Sequence, residues 1–451
     1  MNRSLAYAAC LLLLPVSAHA MLFDAWNKAL THDADYQIAL AEPDIKHEDL
    51  IQARSQLLPQ IFAQGSRGKA DTKIASNSAG GLTQNRSYDA NIWALQIRQP
   101  LLRPSALYAY RSSSRRVAAS QAQLQDARQT LLGNLLETLA RLELAEANLI
   151  SARASLLAAE QKLNFTQRQL RAGNVTRRET ADAKTALAQA QQQIAEAQLD
   201  KSTQQATWAE ITGDTQVMLP PLPSDLAERL PLTDSNPDTL LSLANAKQPA
   251  LLALAEERNA IALEVDRARS EHLPSLDLNA SRSFSESNTE NTIDTTFLTN
   301  RVDLQLTLPL FSGGATQAKV RQSQARLRQA DARLAGALAK TQTQIARSLA
   351  GLASARQTSM SASATREAAD VSLRSATLGI AAGTATVADK ISAEVSKATA
   401  ERDQARANSE ALIYWGQLQQ ALGQLDEDRL RELMAMLGWK EPASQTISFG
   451  Y

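Results

Sequence analysis

The feature that most constrains this chain is that it repeats itself. Residues 53–61 read ARSQLLPQI, and residues 268–276 read ARSEHLPSL, 215 positions later. LQIRQPLL at 95–102 has its counterpart in LQLTLPLF at 304–311, an offset of 209, and Gly173 in RAGNVTRRE answers Gly383 in AAGTATVAD at 210. Three landmarks in one order at nearly one offset mark an internal duplication. Each half reads as helix, two strands, a very long helix, a tight turn and a shorter return helix. Any fold must therefore accommodate two copies of one plan.

The long helices set the scale. From Ser105 to Ala172 there is no proline and one glycine, Gly133; at 1.5 Å per residue that run spans about 100 Å. Leucines recur every seven residues at 135, 142, 149, 156, 163 and 170, and Ala145, Ala152, Ala159 and Thr166 follow four of them by three. This is a heptad stripe with small partners, suited to helices packed closely side by side. The run 315–382 matches it in length and also lacks proline. The return segments are shorter, about 57 Å for 175–212 and about 50 Å for a helix over 238–272. A third return helix covers 386–422. Two shorter helices stacked end to end equal one long one, so the pattern predicts long helices running from the strands to a turn. The shorter helices climb back and meet at a mid-height belt formed by the Pro-rich segment GDTQVMLPPLPSDLAERLPLTDSNP. LDEDRLRELMAMLGWK is expected near that belt. Aromatics make up only 4% of residues while Ala and Gln abound, which argues for narrow seams and two wet faces, as in a hollow cylinder, over a thick core.

The strands have two readings. PSLDLNASRSF puts Leu276, Leu278 and Ala280 on one face; FLTNRVDLQLTLPL puts Leu298, Val302, Leu304, Leu306 and Leu308 on one face, interrupted by Asn300, with Asp303, Gln305 and Thr307 opposite. PQIFAQGSRG and SYDANIWALQIR alternate in places, around a Gly/Ser/Asn-rich turn at 75–87. Such strands are half-buried on a soluble core, or they face lipid with a wet interior behind them. Nine to twelve residues is the length a tilted strand needs to cross. The start of the chain favours lipid: Arg3, then LAYAACLLLLP, then Ala18-His19-Ala20 read as a secretory signal over residues 1–20. Its apolar run is too short for a membrane anchor. The one cysteine, Cys10, lies inside it, so the expected mature chain has no disulfide and no acylated cysteine. Four strands cannot close a barrel, and open edges cannot sit in lipid. Three chains sharing one barrel give twelve strands and a channel, whereas two give eight and a nearly filled interior. Pro59, Pro100, Pro274 and Pro309 mark the expected strand–helix corners.

Gly173-Asn174 and Gly383-Thr384 read as helix reversals. Thr176 or Asn174 caps the first return helix, with Glu179 at capping-box distance from Thr176, and Thr386 caps the second with Asp389 three residues on. Capping is one reading of these carboxylates. The other is that three-fold symmetry gathers Asp389, with Glu179 or Asp182, around a narrow opening, where a carboxylate ring selects cations and needs basic partners. Arg177, Arg178 and Lys390 are the partners to hand.

Other classes fit poorly. A formal net charge of zero without a basic cluster argues against nucleic acid as a partner. His32, His47 and His272 are scattered, with no metal spacing, nucleophile elbow or phosphate loop, so neither an enzyme nor a cofactor is expected. A diffusion porin would be filled with strands, and a periplasmic coiled-coil adaptor or scaffold leaves the two strand pairs unexplained.

The chain resembles the TolC-like outer membrane factors, particularly those of type I secretion. The resemblance rests on LFDAWNKALTHDADYQIALAE, the paired LLPQI and HLPSL stretches, the two turn sequences, LPLFSGG and YWGQLQQALGQL. It implies a mainly α fold with a small β part: a homotrimer with a twelve-stranded outer-membrane β-barrel, four strands per protomer, continuous with a long periplasmic α-helical barrel. The expected divisions are a signal peptide at 1–20, a first repeat at 21–212, an equatorial linker at 213–237, a second repeat at 238–424 and a C-terminal segment at 425–451. A periplasmic adaptor and an inner-membrane transporter, of the ABC type in this branch, are the implied partners, together with outer-membrane lipid. The resemblance implies that the turns at Gly173, Asn174, Gly383 and Thr384 form the docking surface. In GTATVADKISA, Asp389 matches the family's first gating aspartate; Ser392 stands at the second, and Ala385 replaces the arginine expected before Thr386. The implied role is an outer-membrane exit duct for type I protein secretion, with small-molecule efflux as the alternative.

Overall fold

The computed structural model describes residues 19–75, 83–215, 220–231 and 236–438. The signal segment up to residue 18 lies outside the described residues. The N-terminal region forms α1 (His19–His32) and α2 (Ala34–Ser55), where the periodicity predicts one helix. The break is Asp33, whose carboxylate accepts the Tyr36 N–H at 2.7 Å and so caps α2. Then come β1 (Gln60–Ala75), β2 (Thr83–Leu102) and α3 (Pro104–Arg171), which starts on a proline, where a missing N–H costs nothing. After α4 (Arg177–Thr212) and the short α5 (Leu226–Arg229), the helix expected over 238–272 is instead two, α6 (Pro237–Lys247) and α7 (Pro249–Ser270). Pro249 holds Gln248 extended, at φ −67° and ψ 117°, because its ring excludes helical geometry from the preceding residue. The chain continues through β3 (Ser275–Glu286), β4 (Thr296–Thr307), α8 (Ala315–Ala381), α9 (Val387–Ala421) and α10 (Glu427–Met436).

The chain divides into two compact units. One comprises the residues up to Leu40, Leu124–Leu251 and Ala337 onward. Its centre is an apolar cluster in which α1 gives Leu22 and Trp26, α3 gives Leu132, Leu135 and Leu136, and α4 gives Trp208. Leu226 and Leu230 of the linker, Leu412 and Trp415 of α9, and Leu430 and Leu433 of α10 complete it. Three of the five tryptophans enter this one cluster, a local core that composition averaged over the chain conceals. A buried amide ties the linker to it. Asn408 donates to the carbonyls of Pro223 (3.1 Å) and Ser224 (3.0 Å), and its Oδ1 accepts the Ala227 N–H at 3.3 Å. At the edge, Glu427 Oε1 accepts from Trp26 Nε1 (3.0 Å) and Arg128 Nη2 (2.5 Å), joining α10 to α1 and α3.

Beyond the large side chains of that cluster the helices bury small residues at heptad spacing. They are Ala145, Ala152, Ala159 and Thr166 on α3, Ala183, Ala190 and Ala197 on α4, Thr341, Ser348, Ala355, Ala362 and Ala369 on α8, and Ala393, Ala400 and Ala407 on α9. Leu149 and Ala152 of α3 pack against Ala197 of α4. The leucine row is mixed: Leu135 and Leu149 are buried, whereas Leu142, Leu156, Leu163 and Leu170 are only half-buried.

The other unit comprises Ala41–Gln123 and Leu252–Gly336. Ser112 of α3 donates to the Ala260 carbonyl of α7 (3.0 Å), and Arg258 of α7 pairs with Asp331 of α8 (2.9 Å). Its sheet is antiparallel in the order β1-β2-β3-β4. β3 and β4 have 12 residues each, but β1 has 16 and β2 has 20. The first strand pair thus exceeds the nine to twelve residues expected and runs on past the end of the second.

Candidate functional site

The sheet's register sorts its side chains into two faces. Cross-strand rows Ile61–Ile97–Ala280–Val302 and Gly65–Trp93–Phe284–Leu298 lie on one face, together with the pairs Leu278–Leu304 and Leu276–Leu306. Trp93, Val302, Leu304 and Leu306 are exposed at 61%, 74%, 64% and 66%. From Leu306 to Leu298 the apolar rows extend about 27 Å along the strand, and a tilt near 40° reduces this to roughly 20 Å, close to the lipid-facing band of a membrane barrel. The opposite face is mostly polar, with Phe62, Ile92 and Phe297 as apolar exceptions. Asn279 Nδ2 donates to Asp303 (3.2 Å) and Gln305 (3.3 Å). The Asp277 carboxylate accepts from Arg98 (2.6 Å) and Arg103 (3.1 Å). β1 and β4 are the two edges and do not pair with each other, so one chain leaves the sheet open.

Pro59 and Pro274 immediately precede β1 and β3, and Pro309 lies between β4 and α8. Pro100 sits inside β2 at a register irregularity between Pro100 and Leu102; the turn into α3 comes later, at Arg103-Pro104.

The two helix reversals are built alike. Gly173 and Gly383 adopt left-handed φ values of 78° and 74°, which glycine reaches without a Cβ penalty. The next residue closes each helix: Asn174 N–H donates to the Gln169 carbonyl (2.9 Å) and Thr384 N–H to that of Gly379 (2.8 Å). Both are Schellman closures. Thr176 and Thr386 then cap α4 and α9 in full capping boxes with Glu179 and Asp389. Equivalent residues thus make equivalent bonds in both repeats.

This geometry fixes the surroundings of the carboxylates. Glu179 Oε2 accepts the Thr176 N–H at 2.9 Å, and Asp389 Oδ2 accepts the Thr386 N–H (2.8 Å) and hydroxyl (2.7 Å). The backbone N–H of Thr386, and next its hydroxyl, hold the Asp389 carboxyl below its ordinary value. Among the described residues neither carboxylate pairs with a basic residue. Lys390 bonds Glu394 at 3.4 Å, while Arg177, Arg178 and Asp182 form no ion pair among the described residues. Asp389 and Ser392 line a groove of about 480 Å³ between the end of α8 and the start of α9, with Thr384 and Ser396. Further along these helices, Lys397 bonds Asp370 at 2.8 Å; the mutual bond raises the lysine and lowers the aspartate. Sequence reading passed over this pair and Asn408, because polar residues on a helix show no partner until the helices are placed. It also passed over Arg282, which shares the apolar face of the sheet through its pairings with Leu95 and Asn300.

Among the described residues no helix is long and apolar enough to cross a membrane, and no cluster of His, Cys, Asp and Glu suits a metal ion. The model of the outer membrane efflux protein family matches residues 25–214 and 240–424, one segment for each repeat. The alkaline protease secretion protein AprF of Pseudomonas aeruginosa is 31% identical over 325 residues, covering 70% of this chain and 66% of that protein. The proteases secretion protein PrtF of Dickeya chrysanthemi is 31% identical over 317 residues, covering 68% and 67%. The chain thus aligns with about two thirds of each relative. Among solved structures, the Campylobacter jejuni CmeC outer membrane channel superposes with a TM-score of 0.72 at 19% identity, covering 92% of this chain and 89% of that one. The duplicated plan, the mainly helical fold with its four-stranded sheet and the two-segment family match agree: the chain belongs to the outer membrane efflux protein family and is an outer-membrane protein.

Proposed function

We propose that three copies of this chain form the exit duct of a type I protein secretion system. Three four-stranded sheets pair edge to edge into a twelve-stranded barrel, with the polar face lining the lumen and the apolar face toward lipid. The helices extend into the periplasm, where the paired turns meet a periplasmic adaptor and, behind it, an inner-membrane transporter of the ABC type. The duct is passive: it catalyses nothing, and its partners supply the energy. The observation that carries this reading is the sheet, apolar on one face, mostly polar on the other and open at both edges, which in lipid requires closure by further copies. The protease-secretion names of the two relatives support protein as the cargo. At the turns, Asp389 from three protomers forms the periplasmic constriction, with Ser392 beside it and Glu179 and Asp182 on the neighbouring turn; Arg177, Arg178 and Lys390 set the local charge.

The test compares extracellular protein from cells with and without the gene by quantitative mass spectrometry. Loss of one or a few exported proteins, restored by the gene in trans, is the expected result. An unchanged secreted set with altered drug susceptibility would overturn protein secretion in favour of small-molecule efflux.

A further inference from the structure

Arg282 is the one charged residue on the sheet's apolar face between the Leu276–Leu306 pair and the Trp93–Phe284–Leu298 row. It has no hydrogen-bond or ion-pair partner among the described residues. Leu95 and Asn300 lie opposite it, and Trp93 and Phe284 stand one step nearer the hairpin end. Arg282, Leu95, Trp93 and Phe284, together with Ala63 and Leu298, border a hollow of about 370 Å³. Its floor depends on Gly65, since a Cβ there would lie 2.5 Å from the Trp93 ring. Without that Cβ the indole lies flat across β1. One row further out the face turns polar, with Arg67 and with Asn91 donating to Glu286 at 3.1 Å.

Aromatic side chains gather at membrane–water interfaces, so the Trp93–Phe284 row marks the edge of the apolar band. The long side chain of Arg282 starts one row inside that edge, from which a guanidinium reaches the interface while its stem stays in hydrocarbon. An arginine on a lipid face is least costly near the interface, and what the membrane offers there is phosphate. The opposite strand ends lead into the helices, so the hairpin end faces outward and the leaflet concerned is the external one. We infer that Arg282 and the hollow beside Trp93 bind a phosphate-bearing lipid of the external leaflet, its phosphate on the guanidinium and its acyl chains over Leu95 and Ala63. The inference rests on the apolar face being the lipid-facing one.

The test uses the full-length assembled protein, delipidated in a zwitterionic detergent and titrated with diphosphoryl lipid A or its dephosphorylated form by native mass spectrometry. Replacing a charge-assisted contact with Arg282→Gln should weaken lipid A binding about tenfold or more. Arg282→Lys should keep part of it, and the dephosphorylated lipid should bind all three proteins alike. Equal lipid A binding by wild type and Arg282→Gln would overturn the inference, as would failure of the wild type to distinguish the two lipids. Quenching of Trp93 by brominated acyl chains in reconstituted vesicles separates the two levels of the argument. No quenching would refute the lipid-facing reading itself, whereas quenching with unchanged lipid A binding by Arg282→Gln would refute the site alone. Arg282→Lys retains the charge and serves as the second variant if Arg282→Gln does not assemble.

Discussion

Asn408→Ala should release the linker from the core of its unit. Asn408 is 3% exposed and Ala227 is fully buried. The Pro223 carbonyl keeps its bond from Leu226 N–H (3.1 Å) and the Ser224 carbonyl keeps Gln404 (2.8 Å). The group left wholly unpaired is the Ala227 N–H, in the first turn of α5, which Asn408 caps from another helix. An orphaned buried donor costs about 1–3 kcal/mol and two lost neutral hydrogen bonds about 0.5–1.5 kcal/mol each. A total of about 3 kcal/mol corresponds to roughly a hundredfold rise in local opening. Limited proteolysis reads this directly, because cleavage follows the population of the open form when closing is fast. Cuts within 213–237 should accelerate about a hundredfold, while cuts in α8 and α9 should not. Asn408→Asp keeps an acceptor for Ala227 but turns a carboxylate toward two carbonyls, and should be no better. Cleavage of Asn408→Ala within about threefold of wild type would refute the reasoning, since it would mean that water replaces the amide at little cost.

Other substitutions test the remaining parts. Asp389→Ala should raise the conductance and lower the cation selectivity of the resting channel in planar bilayers, and unchanged recordings would remove Asp389 from the constriction. The folded Asp389 carboxyl lies below its ordinary value of 3.8 because of its bonds from Thr386. Its capping contribution is therefore complete above that value and lost only as pH falls through the lower folded value, so Asp389→Asn should leave turn proteolysis independent of pH in that acid range. Burial opposes ionisation of Glu427, but the bonds from Trp26 and Arg128 outweigh it and hold the carboxyl below 4.5. α10 should accordingly stay docked at neutral pH and loosen below that value, and Glu427→Ala should loosen it at neutral pH, as read by cleavage near 427–436. Asp277→Ala leaves Arg98 and Arg103 without their shared carboxylate and should lower the temperature at which the assembly dissociates in SDS, measured by gel mobility. Gly65→Ala should lift the Trp93 ring off the sheet at a cost of about 1–3 kcal/mol, seen as a change in tryptophan emission.

Much of this architecture was legible in the sequence because its signals are periodic or punctuating. The absence of proline over 105–172 and 315–382, the two Gly turns with Thr and an acid at fixed spacing, and the alternation of 298–308 each have one economical explanation. The breaks at Asp33 and Gln248 were less visible. Asp33 interrupts an otherwise helical pattern with a single side-chain cap, and Pro249 was subsumed into a run long enough to pass for one helix. The first strand pair was obscured because its outward face carries small residues, Ala63 and Gly65, where alternation is usually read from large ones. The core around Trp26, Trp208 and Trp415 draws on helices far apart in the chain, so no local window reveals it. The candidate site divides in the same way: the capping boxes are local and could be named in advance, but the ion pair of Asp370 with Lys397 and the linker contacts of Asn408 depend on helix placement.

The alanine seams carry a mechanical consequence. A leucine knob seated in a hole must climb out before two helices can slide, which gives each register its own well. Apart from Leu149, which packs beside them, Ala152 against Ala197 and the small residues at heptad intervals on α3, α4, α8 and α9 offer a methyl-scale corrugation instead. Adjacent positions along such a seam differ little in contact energy, since each lost contact between carbon atoms is worth only about 0.1–0.2 kcal/mol. Along these small-residue stretches the paired helices are therefore stiff along their length yet resist sliding less than they do at the leucine and tryptophan cluster. Discrete polar catches such as Lys397–Asp370 then determine where they stop.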